Sequence, residues 1–143
     1  MKKITLLASL LLAANAYAYE LPNYKHVKGA VTHGKKVRIA IDFSKCNASV
    51  PEMNHPYFDF GVYTPNEMIM KHDGGIASSM NHFTLSDVNF KDTPVNQFVT
   101  YTVNPDDNVV VTGTVLDAIN KTPLTKKHTF VCKMTEGAHI YAA

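Results

Sequence analysis

The sequence predicts a mainly β domain of the α+β kind: an antiparallel meander of six or seven strands, barrel-like or strongly twisted, with one N-terminal helix packed on it. Two observations carry this. From Val37 onward apolar side chains recur with period two, in runs separated by short stretches rich in Pro, Gly, Asn and Asp. Before that point a single segment, Leu21 to Val31, has the period of a helix instead.

The first residues stand apart from that domain. Met1 to Ala18 has the three parts of a secretory signal: Lys2 and Lys3, an apolar stretch from Ile4 to Ala14, and the small residues of Ala16-Tyr17-Ala18. Cleavage after Ala18 gives residues 1–18 as leader and 19–143 as a single domain starting at Tyr19; a second site after Ala14-Asn15-Ala16 moves the terminus by two positions. The stretch is shorter than the ~20 apolar residues a bilayer-spanning helix needs, so no transmembrane segment is expected in the mature chain. The protein is therefore expected to be periplasmic or secreted. Its formal charge of +2, from 14 Lys and Arg against 12 Asp and Glu, belongs to Lys2 and Lys3. The balanced remainder lacks the basic excess of a nucleic-acid partner.

In the mature part, Leu21, Tyr24, Val27, Ala30 and Val31 make one helical stripe, started by Pro22 and stopped near Gly34. Val37, Ile39, Ile41 and Phe43 then alternate with polar neighbours as a strand with one buried face. Residues 47–56 hold two prolines and read as a loop. Tyr57 to Tyr63 and Glu67 to Lys71 read as strands joined around Pro65-Asn66, and Asp73-Gly74-Gly75 as a hairpin turn leading into Ile76 to Leu85. Val95 to Val103 and Val109 to Ala118 form the clearest hairpin, around Asn104-Pro105-Asp106-Asp107-Asn108. Gly113 marks a bulge or bend. Lys126 to Lys133 is the last strand expected.

Cys46 and Cys132 are the two cysteines of the chain. In an oxidising compartment such a pair is expected to form a bridge tying the first strand to the last; two buried free thiols or one reactive thiol are the other states open to it.

Chemistry is sparse. The seven histidines are scattered, without His-Glu-x-x-His or Cys-x-x-Cys spacing, so no metal and no cofactor is expected. The best local cluster is His72 and Asp73, with His82 facing them across the hairpin. Ser78, Ser79, His82 and Asp87 share one stretch, but Ser78 and His82 lie on one strand face and Ser79 on the other, and no Gly-x-Ser-x-Gly elbow surrounds either serine. The serines are read as exposed strand positions, and no catalytic residue is assigned. Tyr57, Phe58, Phe60 and Tyr63 cluster as core or as a ligand-lined mouth.

Gly34-Lys35-Lys36-Val37 through Asp42-Phe43-Ser44-Lys45-Cys46, then Gly74-Gly75-Ile76-Ala77 through His82-Phe83-Thr84-Leu85, the Val95 to Val111 hairpin, and Phe130-Val131-Cys132 together resemble the VirK family of small exported bacterial proteins. The order of these segments carries the likeness more than any one of them, and Ser78 departs from it where an aromatic residue is expected. The resemblance implies export from a Gram-negative bacterium and association with virulence. It brings no catalytic residues; Cys46, His82 and Cys132 are the positions that match its pattern.

Two functions follow as expectations. The preferred one is an exported, non-enzymatic, virulence-associated module binding a host protein, an envelope component or a small apolar ligand, with the Tyr57 to Tyr63 region and the hairpin around His72 as its patches. The alternative is a small secreted hydrolase or metal-dependent enzyme centred on His82, with Asp59 or Asp73. N-terminal sequencing of the exported protein is expected to begin at Tyr19; a chain beginning at Met1 contradicts the leader.

Overall fold

The structure, a computed structural model, describes residues 18–49, 60–87 and 89–143. Asn23 caps helix α1 (Tyr24–Thr32), its side chain accepting from the His26 amide at 3.2 Å. At the other end Gly34, at φ +69°, closes a Schellman motif: the Gly34 amide donates to Val31 O and the Lys35 amide to Ala30 O, each at 3.0 Å. Nine residues make a marginal helix, so α1 depends on burying Val27 and Ala30.

Two antiparallel sheets share the core. The long one has six strands in the order β3 (Asn47–Ala48), β9 (His128–Lys133), β8 (Asn108–Asp117), β7 (Val95–Val103), β6 (Ile76–Thr84) and β5 (Ile69–Met70). The short one has four: β1 (Tyr19–Glu20), β10 (Ala138–Ala142), β2 (Val37–Asp42) and β4 (Phe60–Tyr63). Among the described residues no ladder joins the two, so the sheets do not close into a barrel.

Because side chains alternate along a strand and paired residues share a face, the register lines up rows on the inner face of the long sheet. One row is Ile76, Val103, Val109 and Cys132; the next is Ser78, Tyr101, Val111 and Phe130; then come Met80, Val99, Gly113 and His128, and finally His82, Gln97 and Val115. The first two rows lie in the common core with Ile39, Ile41 and Ile140 of the short sheet. Helix α1 closes this end, where the Tyr24 amide donates to Asp107 Oδ1 at 2.7 Å and the Tyr24 hydroxyl to Gly74 O. Gly113 is paired in register with Val99 and His128, so the expectation of a bulge there is corrected.

The chain passes between the sheets at a corner. After β2 a short 3-10 turn, Phe43–Lys45, buries Phe43 edge-on against Phe130, ring centroids 5.1 Å apart. Cys46 then bonds to Cys132 of β9, Cα atoms 4.4 Å apart. Gly137 packs against this corner: a Cβ there would meet Cys46 Sγ and Lys45 O at 3.0 Å, while Gly137 O accepts from the Asp42 amide at 2.8 Å.

Two expectations are corrected. Lys126 to Lys133 does not end the fold, because β10 follows and sits inside the short sheet between β1 and β2; Cys132 is thus in the penultimate strand. The segments on either side of Pro65-Asn66 do not belong together: β4 pairs with β2, β5 with β6, and the chain changes sheets there.

The bridge closes a loop spanning 86 positions. Replacing both cysteines by alanine is expected to lower the unfolding free energy by about 4 kcal/mol in chemical denaturation, from the added freedom of the unfolded chain. Gly137→Ala, with the bridge intact, is expected to cost about 1 kcal/mol or more by overpacking the corner.

Candidate functional site

The strands of the long sheet outreach those of the short one. β6, β7 and β8 run nine to ten residues, against six in β2 and four in β4. Past the Tyr101 row, therefore, the described residues of the short sheet do not fully cover the inner face of the long sheet. The result is a cleft of about 450 Å³ at the end opposite α1, floored by Met80, Val99, Val111 and Val115 and walled by Phe43, Phe60, Tyr63 and Phe130.

Polar groups enter at few points. His82 and Gln97 are directly opposed on β6 and β7. Asp87 is buried, and its carboxylate accepts from the Asn89 amide and from Gln97 Nε2, each at 2.9 Å. That second bond fixes the Gln97 side chain. His128 Nδ1 is buried with no hydrogen-bond partner among the described residues, an arrangement that costs about 1–3 kcal/mol until something satisfies the nitrogen. Opposite His128 on β8, Gly113 has no side chain, and a Cβ there would meet nothing within 4 Å. The missing side chain is part of the volume.

The wall on the short-sheet side depends on a tyrosine pair. A Cβ at Gly61 would run into the Tyr63 ring, so glycine lets that ring fold back along β4. Tyr63 then packs on Tyr101 with centroids 4.9 Å apart. Burial, and then the adjacent Tyr63 phenol, push the Tyr101 pKa far above the usual tyrosine range; burial also raises that of Tyr63. Among the described residues the buried Tyr101 hydroxyl has no hydrogen-bond partner of good geometry, although the Tyr63 phenol is near enough to perturb it.

Of the residues singled out from sequence, Phe60, Tyr63 and His82 line the cleft. Tyr57, Phe58 and Asp59 lie outside the described residues. His72 and Asp73 sit exposed in the β5–β6 turn, where Lys71 Nζ donates to Asp73 Oδ2 at 2.9 Å and the Gly75 amide to Oδ1. The lysine, more than the amide, holds the Asp73 carboxyl below its ordinary value. The expected meeting of His82 with this pair is corrected: Ile69 opposes Ala77, so His82 lies at the far end of β6, ~20 Å along the strand. Ser78 is not an exposed strand position. It is buried opposite Tyr101, its hydroxyl donating to Glu67 O at 2.6 Å, while Ser79 is exposed. That small residue beside the Tyr101 ring occupies the position where an aromatic was expected. Gly113 and His128 were not singled out as site residues; their signal is a glycine and a histidine in inward-facing strand positions otherwise apolar. Among the described residues no three His, Cys, Asp or Glu side chains are grouped to hold a metal, and no helix is long and apolar enough to cross a membrane.

A family model described as VirK protein matches residues 20–121. The crystal structure of a VirK family protein from Legionella pneumophila superimposes with a TM-score of 0.76 at 24% identity, over 85% of this chain and 97% of that one. No curated protein matches the chain significantly.

The tyrosine pair gives a pH dependence with a definite sign. An unfolded tyrosine releases its proton near pH 10, whereas folded Tyr101 holds it, so stability is complete below about pH 10 and falls as pH rises beyond it. Tyr101→Phe removes both the retained proton and the unpartnered hydroxyl. Its alkaline unfolding midpoint, followed by circular dichroism, is expected to move to higher pH; an unchanged midpoint contradicts the assignment.

Proposed function

Because this chain belongs to the VirK family, we propose that it is an exported, non-catalytic binding protein, its leader ending at Ala18 and its domain running from Tyr19. Its cleft takes a small ligand with an apolar body and one polar group. The observation that carries this is the cleft itself: 450 Å³ falls within the ~300–1,000 Å³ of small-molecule sites, and the walls are apolar and aromatic with few polar atoms. The ligand's polar group meets the His82 and Gln97 side chains at the mouth.

The Cys46–Cys132 bond agrees with an oxidising compartment. A hydrolase centred on His82 has no support: no hydrogen bond among the described residues joins His82 to a hydroxyl or an acid, and Asp87 is committed to Asn89 and Gln97.

The test uses N-phenyl-1-naphthylamine, a neutral apolar probe whose fluorescence rises on burial. The protein is expected to bind it, and Gly113→Phe, which fills open space in the cleft, to weaken binding by about tenfold, or 1.4 kcal/mol, with thermal stability unchanged or raised. Equal binding by the two proteins overturns the cleft as the site.

A further inference from the structure

The chain's charge is balanced in sum and divided in space. Between Leu21 and Ala40 stand Lys25, Lys28, Lys35, Lys36 and Arg38 with no acidic residue; from Ile41 onward seven lysines face eleven Asp and Glu. The structure gathers the first group on and beside α1, with all five side chains exposed. None of them is in an ion pair among the described residues. Of the acids close to this group, Glu20 is taken by His139 at 2.7 Å and Asp42 by Lys45 at 2.9 Å, while Asp107 accepts from the Tyr24 amide at the start of α1.

Lys25, His26, His33 and Lys35 rim a shallow depression whose floor includes Leu21, Gly29 and Ala30. Tyr19 stands beside it, 45% exposed, with Lys35 Nζ over its ring at 4.9 Å and donating to its hydroxyl. Ammonium groups on flexible stems around a small apolar floor suit phosphate groups presented side by side over an apolar layer. A single-stranded nucleic acid wants several aromatic faces on which successive bases stack, and among the described residues Tyr19 is the one phenol ring lining this depression.

We propose that this α1 face is a docking surface for a bilayer rich in anionic phospholipid. The cleft lies at the opposite end of the sandwich, so docking leaves its mouth directed away from the bilayer and accessible.

The exported protein, with its disulfide intact, is sedimented with vesicles of phosphatidylcholine alone and of equal parts phosphatidylcholine and phosphatidylglycerol. Binding is expected on the anionic vesicles only, falling steeply with added salt. Each of Lys25→Gln and Lys28→Gln is expected to weaken partitioning about fivefold, whereas Lys121→Gln and Lys126→Gln, in the loop beyond β8, leave it unchanged. Gly113→Phe also leaves it unchanged, so vesicle binding stands or falls separately from the cleft. Equal partitioning onto both vesicle types, equal losses from the control lysines, or displacement of the protein from vesicles by a stoichiometric amount of oligonucleotide overturns the proposal.

Discussion

The arrangement of this domain depends on one corner, where Cys46 is bonded to Cys132 and Gly137 fits against both the bond and the Lys45 carbonyl. The corner holds the end of β2 against β9 and thereby sets which half of the long sheet the short sheet covers. Ile39, Ile41 and Ile140 come to rest over the Ile76 and Tyr101 rows. A glycine is required where a Cβ would press on backbone, since a backbone carbonyl cannot swing aside as a side chain can.

The cleft follows from that placement and from strand length. Among the described residues, β4 is four residues long and does not cover what nine-residue β6 and β7 expose. In most sandwiches such an overhang is filled by larger side chains; here Gly113 removes one from the floor and the Tyr63 ring folds back over Gly61 at the wall. Near this boundary two buried polar atoms, His128 Nδ1 and the Tyr101 hydroxyl, go without partners among the described residues. They differ in their surroundings. Tyr101 packs under Tyr63, away from the cleft floor, whereas the His128 ring lines the cleft with its Nδ1 turned into the protein.

Legibility in the sequence tracked how strongly each residue constrains its surroundings. The β7–β8 hairpin was plain because alternating valines and five turn-forming residues agree on one register. The end of α1 was plain because Gly34, just past the last apolar residue of the stripe, takes a positive φ without strain. The last strand was not, because Ala138, Ile140 and Ala142 alternate with His139 and Tyr141 too weakly in hydrophobicity to stand out, although all three are buried. The change of sheet between β4 and β5 was invisible, since a strand's sequence records that one face is buried but not against which partner. In the site, Phe60, Tyr63 and His82 drew notice as residue types. Gly113 and His128 gain their meaning only from the rows of the folded sheet, and His72 with Asp73 lost theirs for the same reason: adjacency along the chain placed them at the wrong end of β6.

A single sandwich thus has a helix-capped end carrying positive charge and an open end carrying an apolar cleft. That open end is tested most directly by backbone amide chemical shifts during titration with N-phenyl-1-naphthylamine. Shifts concentrated at Met80, His82, Gln97, Val99, Gly113 and His128, with Ile76, Val103 and Val109 unmoved, are the predicted result. Shifts centred on the β5–β6 turn, or spread over the outer faces of both sheets, contradict it.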